Sequence, residues 1–224
     1  MALPYCLEIM KDILLIIFDL DGTLIDAYPA IIRSFNYAMR KMGYPGQDAS
    51  TIRRAVGWGD ANLLRPFIES KDLKKTVSLY RNHHKAALLK YSRLFPGASL
   101  LLNRLKKKRY KIAVASNRPT RFSLILIRHL KIKKYFDYVL CADKLEHIKP
   151  HPQILSRIMD KFSMKPAQTL FVGDMVIDAQ AGRRAGVRAV IVTTGSSSRA
   201  EIKKEKPYRI IKEIRELPGL LSRG

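Results

Sequence analysis

Hydrophobic positions follow two rhythms along this chain, and the change comes near residue 95. The first feature is an unbroken apolar run at 13–18, rich in isoleucine, which ends in Asp19-Leu20-Asp21-Gly22. Such a run predicts a strand buried on both faces, as in parallel sheets, closed by an Asp-Gly turn. Pro29 then suits a helix start, and Ala30, Ile31, Phe35, Ala38, Met39 and Met42 recur at helical spacing up to Gly43-Tyr44-Pro45-Gly46. Two further helical patterns cover 62–68 and 73–90, and Phe95-Pro96-Gly97 ends the series. No strand-like alternation interrupts 26–95, so that stretch is expected to be all helical. Beyond it the pattern predicts helix 98–108, strand 111–115, helix 120–130 and strand 138–141. Helix 152–163, strand 169–172, helix 175–185, strand 189–192 and a last helix near 211–221 follow.

Strands alternating with helices of this length imply right-handed crossovers and an α/β fold with a doubly wound parallel sheet. Ligands in such sheets bind beyond the carboxyl ends of the strands. Those ends carry Asp19 and Asp21, then Ser116-Asn117, then Gly173-Asp174. Asp178 lies one helical turn past Asp174, so a helix beginning near 174 would set both carboxylates on one face. Lys149 stands before Pro150 in a stretch that prolines hold extended. Paired carboxylates at the end of a buried strand are costly without a counter-charge or a chemical role. An all-oxygen set of this kind suits a hard cation such as Mg²⁺.

Composition narrows the partners. The chain has 224 residues, 47% hydrophobic, with 42 Lys plus Arg against 19 Asp plus Glu, a net charge of +23. That field favours anionic ligands and could hold a polyanion nonspecifically. The basic residues are nevertheless spread over nearly every segment. Their densest cluster, Arg104 with Lys106 to Arg109, reads as the polar end of a helix without the interleaved aromatics of a base-stacking surface. Cys6 and Cys141 are too far apart in sequence to suggest a disulfide framework or a zinc site, which fits a reducing, cytoplasmic setting. No apolar run has the length of a membrane span, so no membrane partner is expected. Residues 1–9 lack pattern, and Met10 is a candidate natural start.

The order Phe18-Asp19-Leu20-Asp21-Gly22-Thr23-Leu24, Ala115-Ser116-Asn117, Lys149-Pro150 and Val172-Gly173-Asp174-Met175-Val176-Ile177-Asp178 resembles the four motifs of the haloacid dehalogenase-like hydrolases. Within them the chain is similar to the phosphoglycolate phosphatase-like group, over about 12–220. The resemblance implies a Rossmann-like core, 1–25 and 96–224, with a helical cap inserted at 26–95. It implies that Asp19 attacks phosphorus to form an aspartyl phosphate and that Asp21 serves as general acid and base. Asp19, Asp174 and the Asp21 carbonyl would hold Mg²⁺, while Lys149 would neutralise charge on the aspartate and the phosphate. Ser116 and Asn117 would bind phosphoryl oxygens, Thr23 would contact the phosphate or order the turn, and Asp178 would orient Lys149 or a metal-bound water. Relatives lacking the second aspartate cleave other bonds, so Asp21 argues for phosphoryl transfer. Met175 and Arg118 depart from the group; Arg118, where lysine is common, could face the phosphate or the solvent.

Substrate choice would then fall to the cap. Arg53-Arg54-Ala55-Val56-Gly57-Trp58-Gly59-Asp60 resembles the group's glycine-containing specificity loop, and Arg53 or Arg54, Gly57 and Trp58 are the candidate contacts to an anionic leaving group. The histidines His83, His84, His147 and His151 have no metal spacing and read as surface or loop residues. The expected activity is a Mg²⁺-dependent phosphatase for a small phosphorylated metabolite, phosphoglycolate being favoured, in a monomer or homodimer. The alternatives are a sugar phosphomutase of the same fold, or a basic nucleic-acid-binding protein with a vestigial site.

Overall fold

The computed structural model describes residue 10 and residues 12–221. Cys6 and the patternless segment 1–9 lie outside the described residues. The chain enters the core as β1 (Leu15–Phe18), whose four residues are all buried. It then makes β2 (Ile25–Asp26) before the helices α1 (Tyr28–Lys41), α2 (Ala49–Ala55), α3 (Asp60–Leu64) and α4 (Leu73–Tyr91). It returns through β3 (Arg93–Leu94), which pairs antiparallel with β2, Ile25 opposite Leu94 and Asp26 opposite Arg93. The ribbon departs from the expectation that 26–95 is all helical. Strands so short show no alternation, and only the pairing reveals them.

Beyond the ribbon come α5 (Ala98–Lys107), β4 (Lys111–Ser116), α6 (Thr120–His129), β5 (Tyr138–Cys141), α7 (Gln153–Phe162), β6 (Thr169–Gly173), α8 (Val176–Arg184) and β7 (Arg188–Val192). Each lies within one residue of its expected bounds. The end of the chain differs. Instead of a helix at 211–221 it forms α9 (Arg199–Lys204), β8 (Arg209–Ile211) and a 3₁₀ stretch over Ile214–Leu220. Ser198 caps α9 in a reciprocal box with Glu201, and Pro218 inside the last segment is incompatible with a regular α-helix.

The main sheet has six strands in the order β5-β4-β1-β6-β7-β8, all parallel, with β1 in its interior. Strand alternation divides the core between the two faces. Ile16 and Phe18, with Ile112, Val114, Leu170 and Val172, pack against Leu101, Leu105, Leu126 and Ile127 of α5 and α6. Leu15 and Ile17, with Ala113, Ala115 and Phe171, pack against Ile154, Leu155 and Ile158 of α7. This explains why β1 reads as a solid apolar run: neither face meets water.

In the helical segment, α1 buries Ile31, Phe35, Ala38 and Met39, a stripe that faces Tyr80, Ala87 and Leu88 of α4. Phe67 closes one end edge-on to Phe35 with ring centroids 5.2 Å apart. Among the described residues no helix is long and apolar enough to cross a membrane.

Candidate active site

The strand order sets the chemistry. Asp19 follows the end of β1, Ser116 ends β4 and Asp174 follows β6, so three neighbouring strands deliver polar residues to one edge of the sheet. Lys149 reaches the same place from the loop before α7 and is buried to 2% exposure. Its Nζ donates to Asp19 Oδ1 (2.6 Å), to Asp178 Oδ1 (2.8 Å) and to the Ala115 carbonyl (3.1 Å). An ammonium so deep in the protein is tolerable only with such partners. Burial pushes its pKa down, but the Asp178 and Asp19 carboxylates outweigh that and leave it raised. Burial pushes the Asp19 carboxyl up to about 7 against the attraction of Lys149.

Asp174 and Asp178 do not share a helical face as expected, because α8 begins only at Val176. Asp178 instead turns back over the helix start, and its Oδ2 accepts from the backbone N–H groups of Asp174 (3.1 Å) and Met175 (3.0 Å). Asp174 is buried and accepts from Thr23 Oγ1 at 2.9 Å. Burial, then the charges of Asp178 and Asp19, push its carboxyl well above the usual range. Close backbone approach shapes this corner: a methyl group on Gly195 or Gly22 would overlap the Asp174 carboxylate. Among the described residues no group of three or more His, Cys, Asp or Glu side chains stands at metal-ligand geometry.

A cavity of about 60 Å³ lies over the strand ends. Asp19, Asp21, Ser116, Asn117, Lys149 and Asp178 line it from the sheet, and Ile31, Val56, Gly57, Leu63, Tyr80 and His84 from the helices. Asn117 ties the two sides together. Its amide donates to the Gly57 carbonyl (2.8 Å) and the Lys149 carbonyl (3.0 Å), and its oxygen accepts from Lys149 N (3.0 Å). Gly57 adopts a positive φ of 111° and seats against Met175, where a Cβ would approach the methionine methyl at 2.6 Å.

Thr23 stands behind the cavity on Asp174. Arg54 and Trp58 lie outside it, in a neighbouring hollow with Glu201 and Gln180. Arg54 forms a fork on Glu201 at 2.6 and 2.9 Å, and Trp58 is 42% exposed. Arg53 stacks on Tyr28 with its guanidinium carbon 3.9 Å from the ring centroid and donates to the Thr194 and Gly195 carbonyls. Both arginines thus fasten α2 to the sheet edge, a contact between distant segments that periodicity does not encode.

Two residues on the cavity wall were read differently from sequence. His84 is not a surface or loop histidine; it is 1% exposed, between Tyr80 and Phe122. Arg118 does not face solvent. Its Nε donates to Asp21 Oδ2 and its Nη2 stands against Asp21 Oδ1, each at 2.8 Å, while Nη1 reaches His84 Nε2 at 2.8 Å. Arginine can only donate, so His84 Nε2 is the acceptor and its proton sits on Nδ1, directed to Ser34 Oγ at 3.1 Å. The Ser34 hydroxyl continues to the Ala30 carbonyl at 2.8 Å. Burial, and then the Arg118 charge, hold His84 well below the usual imidazole pKa, in agreement with a neutral ring. The apolar positions flanking His84 on α4 were the one signal in the sequence that it faced inward.

The chain matches the haloacid dehalogenase-like hydrolase family over residues 16–192. It belongs to that family. It is 32% identical over 219 residues to a phosphoglycolate phosphatase of Haemophilus influenzae, covering 92% of this chain and 97% of that protein. A phosphoglycolate phosphatase of Pseudomonas fluorescens is 31% identical, with 93% of this chain and 80% of the relative covered. The fold is similar to the crystal structure of a protein from Haemophilus somnus described as a predicted phosphoglycolate phosphatase. That likeness has a TM-score of 0.90 and 28% identity, and covers 94% of this chain and 99% of the other. The chain is therefore a haloacid dehalogenase-like hydrolase of the phosphoglycolate phosphatase-like group.

Proposed function

We propose that this protein hydrolyses small phosphate monoesters through an aspartyl phosphate on Asp19, under a cap formed by 26–95 over a core of 1–25 and 96–224. The observation that carries the reading is the grip of Lys149 on Asp19 Oδ1 and Asp178, in one cavity with Asp21 and Ser116. With Oδ1 occupied, Asp19 Oδ2 is the oxygen without a described hydrogen bond and the one that attacks phosphorus. The bond to the ester oxygen breaks, and that oxygen takes a proton from Asp21. Asp21 next removes a proton from water, which attacks the acyl phosphate at phosphorus and returns Asp19 as a carboxylate. Ser116 Oγ and the amides after β4 bind phosphoryl oxygens, and Lys149 offsets charge on Asp19 and the incoming dianion.

The residues fit a hard divalent cation. Asp19 and Asp178 share the single ammonium of Lys149, and Asp174, buried with only the Thr23 and Tyr28 hydroxyls donating to its carboxyl, has its pKa raised by burial and then by the charges of Asp178 and Asp19. Asp19, Asp174 and the Asp21 carbonyl are the oxygen donors for Mg²⁺, which when bound would polarise the phosphoryl oxygens and lessen repulsion between nucleophile and substrate. The relatives' names make phosphoglycolate the first substrate to try, and a cytoplasmic setting agrees with the free, buried thiol of Cys141.

The test is phosphate release from a panel of phosphorylated metabolites with Mg²⁺, by wild type, Asp19→Asn and Asp21→Asn. Asp19→Asn should lose hydrolysis and phosphoenzyme together; appreciable turnover by it excludes Asp19 as nucleophile. A phosphomutase would isomerise a sugar phosphate without releasing inorganic phosphate.

A further inference from the structure

Basic residues are spread along the chain, but acidic ones are not. Residues 73–136 carry 18 Lys and Arg and no Asp or Glu, although the whole sequence has 19 acids. The segment holds α4, β3, α5, β4 and α6, and α5 and α6 cover one face of the sheet. Both helices run against the strands, so their last turns stand where β4 and β5 begin, at the edge opposite Asp19, Ser116 and Asp174. A 3₁₀ turn, Lys133–Tyr135, packs against both helices there. Lys107 and Arg109 at the end of α5, Arg128 and Lys131 at the end of α6, and Lys133 and Lys134 of the turn are exposed, and none forms an ion pair among the described residues. The next acid along the chain, Asp137, is already engaged. Both its oxygens accept from Lys106 Nζ at 3.0 Å, and Oδ2 also accepts from the Ile112 N–H at 2.9 Å.

Cations near a helix C-terminus complement its dipole, but that effect does not account for this edge. Arg104, Lys106 and Lys107 already stand in the last turn of α5. Beyond the caps, Arg109 and Lys131 take the left-handed conformation, with φ of 60° and 59°. Each closes its helix in the same way. The N–H groups of Arg109 and Tyr110 donate to the Lys106 (2.9 Å) and Leu105 (3.1 Å) carbonyls, and those of Lys131 and Ile132 to the Arg128 (3.0 Å) and Ile127 (3.1 Å) carbonyls. Glycine is the usual occupant of this position because a Cβ is strained there, and the chain places Gly43 and Gly186 at the same point after α1 and α8. After α5 and α6 a cation stands instead, at a cost in backbone strain that nothing local repays.

We propose that this edge is a docking surface for the phosphate backbone of a nucleic-acid duplex, bound without regard to sequence and away from the hydrolytic cavity. The rings beside the patch face inward, Tyr110 buried and Tyr135 and Phe136 packed on the core, unlike the stacking platforms that hold single strands. A membrane or protein partner would engage apolar anchors as well as charge. The exposed leucine of α5, Leu100 at 72%, stands in its first turn, at the far end of the helix from the patch.

The test is fluorescence anisotropy of labelled DNA and RNA duplexes of mixed sequence, about 20 base pairs long, titrated with the full chain between about 50 and 200 mM salt. With all six cations on phosphates, affinity should fall by about 10³-fold across that range. Arg109→Gly, Lys131→Gly, Lys133→Gln and Lys134→Gln combined should bind more than about 10-fold more weakly at the low-salt end, and the loss with salt should shrink to about 10-fold. The two glycines relieve the left-handed positions, so this variant should melt no lower than wild type. An equal change of charge on α1 and α4, Arg40→Gln, Lys41→Gln, Lys74→Gln and Lys75→Gln, should leave affinity within about threefold of wild type. Binding of either duplex in this pattern supports the proposal, and the tighter of the two identifies the source of the backbone. Equal weakening in both variants would show that net charge and not this edge holds the duplex, and would overturn it. So would the absence of duplex binding at low salt, with or without binding to phosphatidylglycerol vesicles under the same conditions.

Discussion

Replacing Asp178 by asparagine alters one atom and leaves the shape of a fully buried side chain intact, yet it should cost more than most core substitutions. Each carboxylate oxygen accepts: Oδ1 from the Lys149 ammonium, Oδ2 from the N–H groups of Asp174 and Met175. An amide can accept at one end only. If its nitrogen faces α8, two buried N–H groups lose their partner; if it faces Lys149, an ammonium meets a donor in place of a charge. A buried donor left unpaired costs about 1–3 kcal/mol, and a hydrogen bond to a charged group contributes about 1.5–3 kcal/mol. Either orientation therefore predicts a loss of about 2–4 kcal/mol, within the total stability of about 5–15 kcal/mol usual for a folded protein. Urea unfolding at pH 8 with chelator, followed by circular dichroism, should show a midpoint lower by about 1–2 M for slopes of about 2 kcal/mol per M. Phosphate release should fall with it, because Lys149 loses the partner that centres it on Asp19. An Asp178→Asn protein within about 0.5 kcal/mol of wild type would refute the accounting of acceptors.

Other outcomes follow from the same geometry. His84 is held neutral by burial and then by the charges of Arg118 and His83, so the unfolded chain binds a proton there that the folded one refuses; its stabilising contribution is complete above the unfolded pKa near 6.5 and declines as pH falls. Stability of wild type should drop by up to about 1.4 kcal/mol per pH unit below 6.5 from this group, and a His84→Gln protein should lack that component in paired melts. Mg²⁺ should raise the melting temperature of wild type and not of Asp174→Asn; at a hundredfold excess over Kd the gain is about 2.7 kcal/mol. Gly195→Ala should lower stability and metal response together, since its methyl overlaps the Asp174 carboxylate. Trp58→Phe should change kcat/KM by less than about twofold, as expected of a surface position, and a tenfold effect would place the indole in the substrate path.

The sheet was legible because β1, β4, β6 and β7 are apolar runs bounded by turn residues, and burial on both faces leaves such runs nearly free of polar positions. The placement of Asp19, Ser116 and Asp174 at one edge followed from the general rule for strand ends. What escaped the sequence depends on contacts between remote segments. Arg118 could not be assigned because its direction is set by Asp21 and His84, residues 97 and 34 positions away. Arg54 has the right chemistry for an anion and spends it on Glu201, 147 positions away, for the same reason. The ribbon of β2 and β3 and the strand β8 are too short to carry a period, and β8 is defined by its pairing with β7.

That ribbon has a consequence for how such a protein can change over time. The segment that encloses the cavity leaves and rejoins the sheet side by side, at Ile25 and Leu94. Its removal or replacement by another module would re-route no strand of the parallel sheet and disturb none of its crossovers. The strand ends and the helical segment that lines the cavity opposite them can therefore diverge separately, by exchange at a single doorway two residues wide.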